Sequence, residues 1–154
     1  MNNKLFVGDS NVYIFDYFRK YGAKIIKFKG APMKGIVNKN DNYTSLLNSI
    51  NRFRATDIYL IFGVVDLNFY YYFKKYKENK QNIFEDMQKY AKEYVKVVSE
   101  LNVKNKYIIG ILPSAVKDKY FRKTLSIYPI LTEDVAKTIP EEDLLMVNRN
   151  KRIE

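Results

Sequence analysis

The chain has 154 residues, a length typical of one domain. A hydrophobic content of 47%, with only six glycines and four prolines, excludes a collagen-like, low-complexity or fully disordered chain. Cysteine is absent, which excludes disulfides, thiol nucleophiles and zinc–thiolate sites. Histidine is absent as well. Any Ser-His pair is therefore incomplete within this chain.

The charge balance is strongly basic, with 27 Lys and Arg against 17 Asp and Glu and a net charge of +10. Such a charge predicts attraction to nucleic acid, anionic lipid or acidic substrates, but it is spread along the chain, so an ordinary solvated surface is favoured over a nucleic-acid partner. The longest apolar run, residues 58–65, is too short to cross a membrane. With no secretory segment at the N-terminus, we expect a cytoplasmic protein with no membrane partner.

Strand-like and helix-like segments alternate through the first 112 residues. In chain order they are strand 4–7, helix 11–21, strand 24–28, helix 44–53, strand 57–65, helix 83–101 and strand 107–112. This alternation predicts an α/β three-layer sandwich with a parallel sheet and right-handed crossovers. The chain is expected to form one domain over residues 1–154, and its motifs lie in residues 4–112.

The last 40 or so residues are less regular on the same criteria. Residues 118–130 are basic and aromatic, 132–137 suit a short helical turn, and Pro140 can open another. Residues 148–154 have the pattern of a helix that is cut off, and no clear strand follows. We therefore expect the last helix and strand of the sandwich to be missing.

Three loops leave the carboxyl ends of predicted strands, where ligands bind in parallel sheets. Gly8-Asp9-Ser10-Asn11 places a hydroxyl just before a helix N-terminus, and residues 30–35 form a glycine-bearing loop. Residues 63–68 form the third loop. Acyl transfer requires a hydroxyl nucleophile and converging N–H donors for the oxyanion, and the first two loops can supply both.

These segments resemble the SGNH (GDSL-type) hydrolase family. Leu5-Phe6-Val7-Gly8-Asp9-Ser10 is similar to the first sequence block of the family, and Gly35 falls where its second-block oxyanion glycine lies. Residues 62–67 resemble the third block, and the three blocks occur in the family's order. The resemblance implies a flavodoxin-like parallel sheet and a serine ester hydrolase or acyl-transfer enzyme acting on acyl or acetyl esters, carbohydrate esters among them. It implies no cofactor and no metal.

The same resemblance assigns roles to individual residues. It implies Ser10 as the nucleophile and the N–H groups of Ser10 and Gly35 as oxyanion donors. Asp9 and Asp66 would support the loops structurally. Beside the cleft, the predicted substrate-binding residues are Asn11, Asn68, Tyr70 and Tyr71.

The chain departs from the family pattern at two places. Val65 stands where the family has an asparagine that donates to the oxyanion, and the Asp-x-x-His near the C-terminus is absent. Loss of the triad histidine leaves only a residual rate of roughly 10³–10⁴ over water, so this chain should be a very poor esterase. Either it is an N-terminal piece of a longer enzyme, or it is a complete SGNH-like fold that binds without hydrolysing.

Structural alternatives stand beside each assignment. Ser10 could simply cap a helix, Gly35 could serve a turn with positive φ, and Asp66 could cap a loop. The aromatic and lysine-rich run 69–77 could stack on sugars or bases, or it could be a helix burying Phe69, Tyr72, Phe73 and Tyr76. The alternative function is therefore a non-catalytic basic module that binds a glycan or nucleic acid. A nucleotide-binding flavodoxin-like domain ranks last, because no glycine-rich phosphate fingerprint is present.

Overall fold

The computed structural model describes residues 3–114, 116–127 and 131–153. The chain divides into two compact units. One comprises Met1–Val65 and Met87–Ile111, and the other comprises Asp66–Asp86 and Leu112–Glu154. The first unit holds the sheet, and the second consists of helices and loops. The expectation of one domain over residues 1–154 stays a prediction.

Four strands form one parallel sheet in the first unit. They are β1 (Lys4–Gly8), β2 (Lys24–Lys27), β3 (Asp57–Ile61) and β4 (Asn105–Ile108), in the order β2-β1-β3-β4. Because β2 and β3 lie on opposite sides of β1, the strand order reverses between β1 and β3. The carboxyl ends of these two strands are the topological switch point, where open α/β sheets bind ligands. The predicted α/β class with a parallel sheet is confirmed.

Side chains alternate between the two faces of the sheet along each strand. On one face, buried strand residues pack against three α-helices of the chain. This core includes Leu5, Val7, Ile58 and Leu60 of the strands and Ile36, Leu46, Ile50, Tyr94, Val97 and Val98 of the helices. On the other face the rings of Phe6, Tyr59 and Tyr107 stack in a row across three strands, with centroids 4.5 and 4.6 Å apart.

The second layer over the aromatic face is a helix of unusual type. Residues Ser10–Tyr21 form a 3₁₀ helix, where the sequence suggests an amphipathic α-helix. It begins after Asp9, which caps it, and it ends at Gly22, whose φ of +84° suits glycine. The ring of Phe15 lies 4.7 Å from that of Phe6. The 3₁₀ helix, the sheet and the α-helices therefore form three layers.

The three α-helices of the opposite layer begin and end at local signals. They are α1 (Met33–Val37), α2 (Asp41–Phe53) and α3 (Ile83–Ser99). Helix α2 begins earlier than the predicted residue 44 because the side chain of Asn40 accepts a hydrogen bond from the Asn42 N–H at 2.9 Å and so caps it. Helix α1 contains Gly35, which the sequence predicts in a loop over residues 30–35.

Two strands are shorter or shifted relative to the sequence expectation. Strand β3 ends at Ile61, not at residue 65, because Gly63 has a φ of +112° that no extended strand contains. Strand β4 begins at Asn105, two residues earlier than expected, where the Asn105 side chain donates to Asp57 at 2.9 Å. The predicted continuation of β4 to residue 112 is wrong.

In its described residues, the second unit contains two π-helical segments and four short α-helices. They are Asp66–Tyr70 and Phe73–Lys77, then α4 (Asp118–Ile127), α5 (Glu133–Thr138), α6 (Glu141–Leu144) and α7 (Met146–Lys151). The predicted helical turn near residues 132–137 and the helix opened by Pro140 are confirmed. Helix α4 replaces the irregular segment expected over 118–130, of which residues 128–130 lie outside the described residues.

A buried arginine organises the helices of this second unit. Only 2% of Arg149 is exposed, and its guanidinium lies 3.9 Å from the centre of the Phe121 ring. It donates to the Leu144 carbonyl at 2.9 Å and to the Asp118 carboxylate at 3.0 Å, and it also bonds the Ser114 hydroxyl. Burying a guanidinium is costly unless its donors are used, and these bonds use them.

Candidate functional site

The switch point is held together by a close approach of β1 and β3. A Cβ on Gly8 would lie 2.3 Å from the carbonyl oxygen of Ile61, so only glycine fits at this position. The next residue, Asp9, donates its N–H to the same carbonyl at 3.1 Å. This contact fixes the first residues after β1 directly beside the end of β3.

Asp9 is the cap of the 3₁₀ helix and is completely buried. Its Oδ1 accepts hydrogen bonds from the backbone N–H of Asn11 at 2.9 Å and from the Asn11 side chain at 2.7 Å. Its Oδ2 is buried without a partner of standard geometry in the described part of the chain. Burial raises the pKa of Asp9, and the N–H groups of Asn11 and Val65 oppose that rise.

Ser10 is the first residue of the helix, and its side chain is exposed. Because Asp9 supplies the capping oxygen, the alternative in which Ser10 serves as the N-cap is wrong. Across residues 3–114, 116–127 and 131–153, the Ser10 hydroxyl has no hydrogen-bond partner. It therefore lies uncommitted at a helix N-terminus, where the backbone dipole favours negative charge.

Asn11, expected to bind substrate, has its side-chain amide engaged with Asp9. This bond holds Asn11 within the capping turn and leaves its amide carbonyl oxygen as the group available to a ligand. Asn11 is half-buried.

The loop after β3 depends on a second glycine. A Cβ on Gly63 would lie 2.7 Å from the Ile111 side chain, and the φ of +112° is strained for any other residue. Val65, two residues on, offers only its backbone N–H towards Asp9. Gly63 lies in the segment that resembles the third sequence block, where the resemblance gives it no role. Its positive φ and its close approach to Ile111 are seen only in the structure.

Gly35 lies inside α1 and is buried. Its N–H, expected to hold an oxyanion, donates to the Pro32 carbonyl at 3.0 Å, and its own carbonyl accepts from Asn40 at 3.2 Å. A Cβ at this position would lie 2.8 Å from the Asn40 side chain. Gly35 does not have a positive φ, so its interpretation as a turn residue is wrong. Its N–H could donate to an oxyanion only if its hydrogen bond to the Pro32 carbonyl were broken.

Four of the predicted site residues belong to the second unit. Asp66 is buried, and Asn68 and Tyr70 are half-buried, all in the first π-helical segment. Tyr71 is only 4% exposed, its hydroxyl accepts from Lys75 at 3.1 Å, and its ring lies 5.6 Å from that of Phe84.

The aromatic and lysine-rich run 69–77 is mostly buried or half-buried in the second unit. Tyr72 is fully buried, its hydroxyl donates to the Asp143 carbonyl at 2.5 Å, and burial raises its pKa to about 12. The Asp143 carboxylate accepts from Lys75 at 2.6 Å and also from the Tyr76 hydroxyl. Burial alone would raise the pKa of Asp143, but these two hydrogen bonds lower it. Tyr72, Lys75 and Tyr76 therefore all direct their donors to Asp143 within the second unit.

Sequence inspection missed a group of exposed tyrosines on the 3₁₀ helix. Tyr13, Tyr17 and Tyr21 are 48%, 61% and 67% exposed. These tyrosines occur every four residues in the sequence. Apolar residues lie between them, so the sequence alone does not show which of these side chains are exposed. Ile14 and Phe18, two apolar residues of the same helix, are also more than two-fifths exposed, at 53% and 41%.

Comparisons with models of protein families, with curated proteins and with solved structures give no match to this chain. Within residues 3–114, 116–127 and 131–153, no three acidic, cysteine or histidine side chains come together as a metal site. The helices of that same part of the chain are all too short or too polar to cross a membrane.

Proposed function

We propose that the switch point between β1 and β3 is an acyl-transfer centre of the SGNH type, with Ser10 as its nucleophile. The observation that carries this proposal is the Ser10 hydroxyl, which is exposed, follows the carboxyl end of β1 and has no hydrogen bond to any residue that the structure describes. The substrate class is an acyl or acetyl ester, carbohydrate esters among them. Asp9 supports this proposal because it takes over the capping that would otherwise occupy the serine.

The reaction we propose is a transfer of the acyl group to the protein. The Ser10 oxygen attacks the ester carbonyl, the bond to the leaving alcohol breaks, and that alcohol departs with the proton from serine. A serine ester remains on the chain. Negative charge on the carbonyl oxygen is stabilised by the N-terminus of the 3₁₀ helix, beginning with the Ser10 N–H.

The chain contains no histidine, so the serine proton reaches the leaving alcohol through water or through a base supplied from outside this sequence. A serine without its base keeps only the contribution of binding and the oxyanion donors, roughly 10³–10⁴ over water. Hydrolysis of the serine ester needs the same missing base. We therefore expect one slow acylation per chain, followed by very slow release of the acyl group.

Gly35 has a conditional part in this proposal. Its N–H donates to Pro32 within α1, so a contribution to the oxyanion requires the first turn of α1 to open. Removal of one oxyanion donor typically costs ~10²–10³ in rate. The proposal therefore depends on Ser10 and the helix N-terminus, and Gly35 adds to it only after that local change.

The test is covalent labelling with a fluorophosphonate probe, which reacts with nucleophilic serines and needs no turnover. The wild-type chain, Ser10→Ala and the matched control Ser49→Ala are labelled side by side. The Ser49 hydroxyl donates to the Ser45 carbonyl at 2.7 Å, so it is an ordinary helix serine. We expect labelling of the wild type and Ser49→Ala and none of Ser10→Ala. Equal labelling of all three, or none of the wild type, contradicts the proposal.

A further inference from the structure

The outward side chains of the 3₁₀ helix form an aromatic and basic surface distinct from the Ser10 site. We call Tyr17, Lys20 and Tyr21 the tyrosine–lysine surface. Its two rings are 61% and 67% exposed. Exposed aromatic groups in a cluster mark interaction surfaces more often than isolated apolar residues do.

Each ring of this surface has a lysine beside it. The Lys20 ammonium lies 3.6 Å from the centre of the Tyr17 ring and 4.9 Å from that of Tyr21. Tyr13 of the same helix is 48% exposed and has its own lysine, since the Lys27 ammonium of β2 lies 4.9 Å from the centre of its ring. Residues three apart eclipse one another in a 3₁₀ helix, which explains why Lys20 lies over Tyr17.

Tyr17 and Tyr21 support each other as well. Their hydroxyls are 3.1 Å apart, and their rings meet edge to face with centroids separated by 5.6 Å. This mutual contact limits the motion of two side chains that are otherwise in solvent. The rings are therefore partly ordered before any partner arrives, which lowers the entropic cost of binding.

We infer that the tyrosine–lysine surface binds single-stranded nucleic acid. Bases stack on exposed tyrosine rings whatever their sequence, and phosphates pair with lysines along the same path. The net charge of +10 adds a long-range attraction for a polyanion. A neutral glycan would use the rings but leave the lysines without partners, and a second copy of the chain would bring like charges together.

Lys20 has a specific part in this inference. In the free protein its ammonium covers part of the Tyr17 ring. Stacking of a base on tyrosine is stronger than an exposed contact between a cation and a ring, so a base can displace the lysine. The released ammonium then pairs with the adjacent phosphate. The same lysine therefore contributes charge in both states, and its loss should change the salt dependence of binding.

The experiment is fluorescence anisotropy of a labelled single-stranded oligothymidylate of roughly 15 nucleotides, long enough to span several stacking positions. For Tyr17→Ala we expect the dissociation constant to rise about tenfold, the loss of one stacked base. Tyr17→Phe keeps a ring and should bind within about twofold of the wild type. For Lys20→Gln, the slope of log affinity against log salt should become shallower by about 0.7, the value for one phosphate contact on a single strand.

The matched control is Tyr120→Ala in the second unit. Tyr120 is 53% exposed and has the Lys119 ammonium 4.8 Å from its ring centre, so it resembles the tyrosine–lysine surface in local chemistry alone. Its loss should leave binding unchanged. Circular dichroism of every variant checks that the exposed substitutions leave the fold intact.

Several outcomes would overturn the inference. Equal losses in Tyr17→Ala and Tyr120→Ala would show nonspecific attraction to a basic chain. Salt-independent binding of a neutral oligosaccharide, weakened by Tyr17→Ala, would assign the surface to glycans. A dimer in sedimentation that Tyr17→Ala dissociates would assign it to a second copy. Because Ser10→Ala leaves these side chains in place, it should bind the oligonucleotide normally, so this inference and the proposed acyl-transfer function can fail separately.

Discussion

The carboxylate of Asp9 and the amide groups of Asn11 form a closed capping turn, with hydrogen bonds of 2.9 Å to the backbone N–H and 2.7 Å to the side chain. The residue between them, Ser10, has no side-chain hydrogen bond in this turn or to any other described residue. In a sequence, serine and aspartate are both good capping residues, and the N-cap is the one with non-helical backbone angles. Here that residue is Asp9, whose backbone is extended and whose side chain is buried.

The pH dependence of stability should reveal the buried state of Asp9. Its pKa is raised in the folded chain by burial, above the ordinary value of 3.8. Its contribution to stability is therefore full below that value and falls as the pH rises through the folded pKa. Asp9→Asn keeps an acceptor for Asn11 and removes the charge, so we expect it to be more stable than the wild type near pH 7 and to lose that advantage in acid.

Urea unfolding of both proteins across the pH range measures this difference. The control is Asp9→Ala, which removes both the charge and the cap and should be about 1 kcal/mol less stable than Asp9→Asn at every pH. A wild type more stable than Asp9→Asn at neutral pH would show that the carboxylate is better solvated than its burial implies.

The Asp143 carboxylate should behave in the opposite way. Its pKa is lowered because the hydrogen bonds from Lys75 and Tyr76 outweigh the effect of burial. Its contribution to stability is present above the unfolded value of 3.8 and is lost as the pH falls through the lower folded value. Asp143→Asn should therefore destabilise the chain at neutral pH, by roughly 1–3 kcal/mol for hydrogen bonds to a charged group.

The difference in stability between the wild type and Asp143→Asn should disappear in acid. Thermal unfolding at several pH values measures that gap, and Glu142→Gln serves as an exposed control beside it. A gap that stays constant down to low pH would mean that the charge of Asp143 adds nothing to the cluster.

Three glycines allow the strain at the switch point to be separated from ordinary glycine effects. Gly63 combines a positive φ with contact to Ile111, Gly22 has a positive φ in open space, and Gly110 has open space and no positive φ. We expect alanine to be nearly neutral at Gly110, to cost about 1 kcal/mol at Gly22, and to cost more at Gly63. Chemical denaturation of the three variants measures the order. An alanine at Gly63 that costs no more than one at Gly22 would show that Ile111 yields freely.

Arg149 should be essential to the second unit. Replacement by methionine removes the donors to Leu144 and Asp118 and leaves buried carbonyl groups without partners, which we expect to cost about 3 kcal/mol. Arg149→Lys should recover only part of this loss, because an ammonium cannot reproduce the planar arrangement of donors. Differential scanning calorimetry measures the effect, with the exposed Arg52→Met as control. Similar melting temperatures for both methionine variants would contradict this role.

The sheet could be predicted because apolar runs and helical spacing alternate along the first half of the chain. Leu60 and its neighbours read as a strand covered on both faces, and the structure places them in the core. The strand ends could not be predicted in the same way, because Gly63 breaks β3 through a backbone angle that composition does not reveal.

Side-chain placement was less predictable in the helical segments. The run 69–77 has the spacing of an α-helix that buries one stripe, but π-helical backbone changes the spacing from i+4 to i+5. As a result Tyr71 is as fully enclosed as its neighbour Tyr72, and the expected rim residue becomes an internal one. The 3₁₀ backbone has the converse effect on residues 10–21, where it leaves Tyr17 and Tyr21 outside.

At the candidate site, the motif predicts Ser10 as the nucleophile, and the structure adds that Asp9 caps the helix and leaves the Ser10 hydroxyl without a partner among the described residues. The hydrogen bond of the Gly35 N–H could not be predicted from the sequence. The sequence predicts a loop at this position, whereas in the structure the N–H donates to the Pro32 carbonyl in helix α1.

The most direct measurement is the mass of the intact chain after incubation with an activated acetyl ester, followed by peptide mapping of any adduct. The account predicts the addition of one acetyl group, located on Ser10 in the peptide that follows β1, and a chain that stays acetylated long after the ester is removed. An unmodified chain, or an acetyl group on lysine side chains alone, would contradict the assignment of Ser10 as the nucleophile.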